Sequence, residues 1–378
     1  MTPIQKIFEI GYPPLEHTAH LSREQRKAAW AIMNCKTGAL GLNTEICPNC
    51  GNTVSHFNSC RNRNCPNCQA VPKERWVDKR SSEVIDGSYY HLVFTVPAEL
   101  NPLFYANQEL LYNLIHRCSA ETILQLAADK KFLGAVPGII QVLHTWGQKL
   151  NYHPHIHAIV TGTGLYLGCR YVPNQRKDFF IPVSVLSRKF RGKFMDLLKH
   201  LFDNGKLCLP KSCSSLEDPF MWQLFCNKLY SMEWNCFIKQ TFNGNGNAIE
   251  YLGNYTHKIA ISNSRIVGIK DGVVSFLARD YKTGNQETVS IPCTEFVCRF
   301  LMHVLPAGFQ KIRYYGLFCN RFKTQNLALI FRIQGSRKFT EKFAGLSSVE
   351  VVLLAFGKDL SVCPHCGFSR LNPRASPA

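Results

Sequence analysis

Two cysteine knuckles, Cys47-Pro-Asn-Cys50 and Cys65-Pro-Asn-Cys68, constrain this chain more than any other feature. Fourteen residues separate them, which is zinc-ribbon spacing, and two such knuckles close a tetrahedral thiolate site. The segment around them holds few large apolar residues, so it needs a metal staple to fold. Cys35, His56 and Cys60 lie nearby as further donors, either for a second site or in place of one of the four. The chain has 17 Cys, an odd number, several of them grouped as CxxC pairs. That usage fits metal-bound thiolates in a reducing compartment better than a disulfide framework. A further knuckle, Cys363-Pro-His-Cys366, stands in the tail with no evident partner pair; it reads as a second zinc half-site completed elsewhere or as a remnant.

Downstream of the knuckles the pattern changes to mixed helix and strand. Ser22 reads as the N-cap of a helix over residues 23–33, with Gln25 one position short of a capping box. Residues 89–96 are β-branched and aromatic and end at Pro97, residues 108–130 have helical spacing, and residues 138–146 and 155–160 read as an antiparallel strand pair. A basic amphipathic helix is expected over residues 184–204, mostly helical structure over 216–258 broken by the loop 243–247, and a β-meander over 264–291. A helix over 295–304 stops at Pro306. The division expected is a zinc-binding, DNA-contacting domain over 1–82, a catalytic domain over 83–335 and a C-terminal segment over 336–378.

The sharpest chemical signal is His153-Pro-His155-Ile-His157. Side chains alternate along a strand, so His155 and His157 face one side and Ile156 the core. Paired imidazoles on a rigid strand are ready-made ligands for a divalent ion, although HxH also arises by chance. The preceding strand should supply a third ligand. His144 and Gln148 both qualify, and spacing does not choose between them. Such a site leaves positions open for phosphate oxygens, for which Mg²⁺ or Mn²⁺ is the expected ion.

Tyr251-Leu-Gly-Asn-Tyr255 forms a second constellation, followed by Lys258. On a helix the two phenols share one stripe. A phenolate attacks phosphorus competently, and Lys258 would stabilise the phosphate charge. Tyr pairs at this spacing are also common packing residues, and Gly253 weakens a helix by about 1 kcal/mol relative to Ala.

Charge points to a polyanion. Lys and Arg number 44 against 26 acidic residues, a net charge of +18. Arg61, Arg63, Lys73, Arg75, Lys79 and Arg80 cluster in and after the cysteine segment as candidate phosphate contacts. No apolar run is long enough for a transmembrane helix, and the opening residues lack a secretory h-region, so the chain reads as cytoplasmic and nucleoid-associated with no membrane partner.

Taken in order, these features resemble the IS91-type rolling-circle transposases across nearly the whole chain. The resemblance rests on the 47–68 cysteine segment with Ser59-Cys-Arg-Asn-Arg-Asn-Cys-Pro66, on His91-Leu-Val-Phe-Thr-Val-Pro97, on His144-Thr-Trp-Gly-Gln148 and on His153–His157. It continues through Tyr251–Tyr255, Ala260-Ile-Ser-Asn263 and His303-Val-Leu-Pro306 to Gly316. It implies an α+β fold, an HUH endonuclease-like antiparallel sheet flanked by helices behind a small zinc-ribbon-like domain. It further implies that His155 and His157 hold the catalytic ion, and that Tyr251 and Tyr255 are nucleophiles that nick single-stranded element ends through a 5′-phosphotyrosine. Gly253 and Asn254 between the tyrosines and Lys258 after them are less basic than the family's Arg-rich version. A replication-initiator or relaxase-like nickase and a non-catalytic zinc-dependent DNA-binding protein are the competing readings.

Overall fold

The computed structural model describes residues 1–173, 179, 181–243, 253, 256, 259–280, 283–335 and 340–371. Two helices, α1 (Pro3–Thr18) and α2 (Arg23–Asn34), open the chain. Ser22 caps α2, and Gln25 returns a bond to the Ser22 N–H. Gln25 thus occupies the third helical position and completes the capping box, one position better placed than its spacing suggests. A hairpin follows, β1 (Leu42–Ile46) with β2 (Thr53–Phe57), then α3 (Ala70–Ser81).

The main sheet is antiparallel throughout. Its strands are β3 (Ser88–Thr95), β4 (Val136–Trp146), β5 (Tyr152–Tyr166), β6 (Arg170–Pro173), β7 (Cys236–Asn243) and, late in the chain, Ile312–Gly316. Between them run α4 (Asn101–Ala106), α5 (Gln108–Ala128), α6 (Val183–Asp203) and α7 (Pro219–Ser231). A separate three-stranded meander comprises β8 (Ile266–Lys270), β9 (Val273–Arg279) and β10 (Gln286–Pro292). The helix α8 (Cys293–Leu301) comes next, then Ile312–Gly316 as β11, α9 (Lys323–Gln334) and α10 (Ser348–Phe356). Across the main sheet the order is β11-β4-β5-β3-β7, with β6 paired to β5. This is the α+β architecture of a helix-flanked antiparallel sheet. None of the described helices is long and apolar enough to cross a membrane.

One correction concerns residues 216–258. Among the described residues there, α7 is the long helix, and Cys236–Asn243 is strand β7, hydrogen-bonded along β3. Its signal is a two-residue alternation: Cys236 is buried, Ile238 half-buried, and Phe237 and Lys239 are less enclosed. A half-buried edge strand next to a true helix hides that pattern.

Packing explains which face of the sheet carries chemistry. Ile156, Ala158 and Val160 of β5 join Leu92, Phe94 and Leu143 in a core closed by Leu111 and Ile115 of α5 and Phe190, Phe194 and Leu198 of α6. Each of the two buried Phe side chains of α6 contributes roughly 1.5–3 kcal/mol by leaving water. The alternate residues of β4 and β5 therefore point the other way. There a second core, built from α1, α2, α8 and the meander around Phe8, Phe276, Phe296 and Phe300, lies beyond Trp146 and Leu150.

Candidate functional site

Three imidazoles meet on that second face. His144 on β4 lies directly opposite His155 on β5, so the two side chains share a face, and His157 follows one pleat along. Their ring nitrogens lie within 4.8 Å of one another, and all three residues are buried. The Nε2 atoms of His155 and His157 are 3.0 Å apart. Two nitrogens held at about 2.1 Å and at right angles on one ion stand about 3.0 Å apart, so the pair fits a shared divalent metal.

Hydrogen bonds orient the rings. His155 Nδ1–H donates to the His153 carbonyl at 2.7 Å, which leaves Nε2 with its lone pair. His157 Nδ1 meets His91 Nε2 at 2.9 Å, and the two ring planes are nearly parallel. With Nδ1–H of His157 donating to His91, the other nitrogen faces the site, the usual outer-shell support of a ligating histidine. Burial pushes His155 down to about 3 and His91 down to about 4, so both rings are neutral at pH 7, the form in which imidazole ligates.

Of the two candidate third ligands, His144 joins the pair. Gln148 lies past the end of β4, where its carbonyl accepts from Arg265 and it lines a cavity with Leu277 and Arg279 of the meander. Sequence spacing misses His91, because it sits on a neighbouring strand and only the register of β3 against β5 brings it to His157.

Tyr251, Tyr255 and Lys258 lie outside the described residues. Gly253 and Thr256, between and after the tyrosines, are described and helical, and the buried Thr256 hydroxyl donates to the Gly253 carbonyl at 3.1 Å. A Cβ on Gly253 would stand 2.2 Å from Val77 Cγ2. Glycine is therefore required for the close approach to α3, and is more than a weak helix residue. Ile259 and Ala260 line a cavity with Trp146, His303, Arg63 and Lys311. Trp146 in turn stacks on His144, ring centroids 4.4 Å apart. A chain of contacts thus links the imidazole cluster to Ile259 and Ala260, just after the tyrosine motif. Lys311 is partly exposed, yet burial of its ammonium, aided by the Arg63 charge, pushes it down to about 8.

A cleft of about 1010 Å³ opens from this point between α3 and α10. Thr256 lines it, with six cations, Lys36, Arg61, Arg63, Arg75, Lys311 and Lys358, and no acidic residue among the described lining. The basic cluster expected to grip DNA divides in two. Arg61 and Lys79 are exposed, and Lys73 is half-buried in an ion pair with Glu74. Arg63 instead donates to the carbonyls of Leu305, Pro306 and Phe309, and Arg75 to those of Phe343 and Leu346. Arg80 is buried, paired with Glu83 and set over the Tyr314 ring. All three guanidinium groups are engaged by protein partners, Arg80 buried, Arg75 half-buried and Arg63 still exposed in the cleft.

The cysteines also regroup. The knuckles at 47–50 and 65–68 do not face each other. Cys65 and Cys68 gather with Cys35 and Cys60, whereas Cys47 and Cys50 gather with Cys363 and Cys366 of the tail. In the first group Cys68 Sγ lies 3.5 Å from Cys35 Sγ and 3.7 Å from Cys60 Sγ. Four sulfurs at about 2.3 Å from a tetrahedral zinc stand about 3.8 Å apart, so this group fits structural zinc. Amide N–H groups of Cys60 and Asn62 donate to its sulfurs, as suits thiolates. His56 belongs to neither group; it lies on the exposed hairpin.

Comparison with known proteins gives two family matches and two relatives. Residues 138–326 match a family described as "Putative transposase", and residues 7–96 match a "Transposase zinc-binding domain". The chain is 38% identical over 369 residues to "Putative transposase y4qJ" of Sinorhizobium fredii (strain NBRC 101917 / NGR234), across 93% of this chain and 89% of that protein. It is 28% identical over 307 residues to "Transposase for insertion sequence element IS801" of Pseudomonas savastanoi pv. phaseolicola, across 79% of this chain and 72% of that one. No solved structure matches. The imidazole cluster and both tyrosines fall inside the matched transposase region, and the Cys35–Cys68 group inside the zinc-binding region. The chain belongs to the IS91-type transposases and carries their N-terminal zinc-binding domain.

Proposed function

We propose that this transposase cuts and rejoins single-stranded DNA, with Tyr251 and Tyr255 as nucleophiles beside a Mg²⁺ or Mn²⁺ ion held by His144, His155 and His157. The observation that carries the reading is the cluster of three buried imidazoles on adjacent strands, two of them with nitrogens 3.0 Å apart. When bound, the ion would polarise a phosphate oxygen and template the attack.

The chain's own residues do the rest. A tyrosine phenolate oxygen attacks phosphorus, the bond from phosphorus to the 3′ oxygen breaks, and that oxygen leaves as a hydroxyl after taking up a proton. The 5′ end stays on the protein as a phosphotyrosine ester. Because the ester keeps the bond energy, a 3′-OH from another strand can attack it, restoring a phosphodiester and releasing the phenol. Two tyrosines allow two strands to be held in turn. Lys258 stands three residues after the motif, and Lys311, which lines both the cavity of Trp146 and the cleft of Thr256, supplies a second positive charge to the phosphate.

DNA lies in the cationic cleft in this reading. Exposed Lys36, Arg61 and Lys358 track the backbone, and exposed Phe356 offers a ring on which a base can stack. An unpaired strand suits such a track because its bases are free to stack on an exposed ring while its phosphates meet the cations. The test is Mn²⁺-dependent nicking of labelled single-stranded element ends by His144→Ala and Gln148→Ala. Loss of nicking in the first and retention in the second is expected. The reverse result would give the third position to Gln148, and full activity in His144→Ala with His157→Ala would overturn the metal centre.

A further inference from the structure

We infer that the chain holds a second structural zinc, bound by Cys47, Cys50, Cys363 and Cys366, which clasps the C-terminal tail to the N-terminal hairpin and fixes one wall of the cationic cleft. The matched zinc-binding domain ends at residue 96, so half of this site lies outside it. The inference stands on sulfur geometry and is independent of the nicking chemistry.

The two halves are built alike. Cys47-Pro-Asn-Cys-Gly51 and Cys363-Pro-His-Cys-Gly367 have the same spacing. In each, the first cysteine N–H donates to the carbonyl five residues on, Asn52 or Phe368, at 2.8 Å, and the glycine N–H returns to the first cysteine carbonyl at 2.9 Å. Gly51 and Gly367 have φ of 72° and 71°, the left-handed turn that folds a knuckle around a metal. Across the join, Cys47 Sγ is 3.7 Å from Cys366 Sγ and Cys50 Sγ is 3.8 Å from Cys363 Sγ. Those separations match the edge of a tetrathiolate zinc, about 3.8 Å, and are far beyond a disulfide bond of about 2.05 Å. Asn49 and Asn52 side-chain amides donate to Cys366 and Cys50 sulfurs, which suits charged thiolates. Four thiolates fill a tetrahedral shell, as in structural rather than catalytic zinc.

Little else holds this region together. Its buried apolar set is Cys47, Val54 and Cys363, with Phe368 partly buried against them, and strand β1 is exposed along its length. A surface ion pair, Arg370 with Glu45 at 2.7 Å, crosses the same join but is worth little in water. The tail reaches the site after docking on α3, where Asp78 accepts from the Lys342 and Phe343 amides and Arg75 holds Phe343 and Leu346. Between dock and clasp runs α10, whose Val349, Val352 and Phe356 line the cleft opposite Arg61. With both ends fixed, α10 is a wall of the cleft; with the clasp open, it is held at one end only.

The full-length protein carrying Cys363→Ser with Cys366→Ser tests this. Cobalt(II) replacement of zinc gives a thiolate-to-metal charge-transfer band that an all-histidine site does not produce. Wild type is expected to show two tetrathiolate cobalt ions per chain, and the double variant one. In the variant, protease should cut between α10 and the tail at least tenfold faster, while circular dichroism stays unchanged. A parallel variant, Cys65→Ser with Cys68→Ser, should lose the other band and retain the tail's protection. An intact mass showing disulfides at these four cysteines, or a band of undiminished intensity in Cys363→Ser with Cys366→Ser, would overturn the proposal. The readouts are metal content and tail protection, so a loss of nicking in either variant bears on the DNA chemistry and not on this zinc.

Discussion

His91 should control metal affinity without touching the metal. Its Nε2 meets His157 Nδ1 at 2.9 Å in a site where His157 is only 8% exposed. His91→Leu removes the partner and keeps an apolar side chain on the strand. His157 Nδ1 then loses this bond, at a cost of about 1–3 kcal/mol, and the ring is held less firmly in its orientation. Loss of an outer-shell partner of this kind lowers metal affinity by about 10–100-fold, or about 1.4–2.7 kcal/mol. Titration with Mn²⁺, reading the free aqueous ion by electron paramagnetic resonance, measures the change directly. His91→Gln offers a side-chain oxygen that can accept from Nδ1–H, and should recover most of the affinity. The pair of variants separates positioning from bulk, because both keep the strand filled. Mn²⁺ affinity within about twofold of wild type in His91→Leu, with the fold intact, would refute the reasoning, since His157 would then be oriented by something else.

Three further outcomes follow from the geometry. Lys311→Met should weaken binding to single-stranded oligonucleotide by about 10–100-fold, the worth of one charged hydrogen bond, yet raise the melting temperature, because a lysine held at about 8 costs the folded state about 1–3 kcal/mol at pH 7; fluorescence anisotropy and thermal melts read both. Gly253→Ala puts a Cβ 2.2 Å from Val77 Cγ2 and should cost about 1–3 kcal/mol by overpacking, with Val77→Ala in the same chain restoring stability and nicking. Acid should destabilise the fold well before carboxylates titrate. Burial and the Arg313 charge hold His116 at about 3, and burial holds His303 at about 4, against about 6.5 unfolded, so stability is full above pH 6.5 and falls with acid toward pH 4, at up to about 1.4 kcal/mol per pH unit for each. Melts from about pH 7 to 5 should show that slope, and His116→Gln should flatten it.

How much of this is legible in the sequence depends on the range of the contact. Local periodicity locates β3, β4, β5, the meander and the amphipathic helix α6, because alternation and helical spacing are written within a few residues. The strand pair carrying His155 and His157 follows directly, and with it the direction of Ile156 into the core. Register is harder to read. Whether His144 or Gln148 faces the pair depends on where β4 ends and the chain turns, and His91 depends on the alignment of a third strand. The cysteines show the limit most clearly. Nearest neighbours in sequence suggest that the 47–50 and 65–68 knuckles share one ion, but Cys47 and Cys50 meet a tail more than 300 residues away. Matching CPxCG knuckles at the two ends are the available clue, and it is one of similarity rather than spacing. The arginines mislead for a different reason. Clustered charge signals a polyanion partner, yet the guanidinium groups of Arg63, Arg75 and Arg80 are taken up by carbonyls, an acid and a ring of the protein itself, even though Arg63 stays exposed.

Transesterification by tyrosine leaves a covalent trace on the protein, and a nicking assay detects it. The protein is incubated with single-stranded oligonucleotides from its element ends, labelled on either side of the cut, with and without Mn²⁺. Products are resolved on a denaturing gel, and any adduct is digested and mapped by mass spectrometry. The account predicts a metal-dependent covalent adduct that retains the strand 3′ of the cut, linked through its 5′-phosphate to Tyr251 or Tyr255, and absent from Tyr251→Phe with Tyr255→Phe. Cleavage without an adduct, surviving in that double variant, would make water the nucleophile and contradict the account.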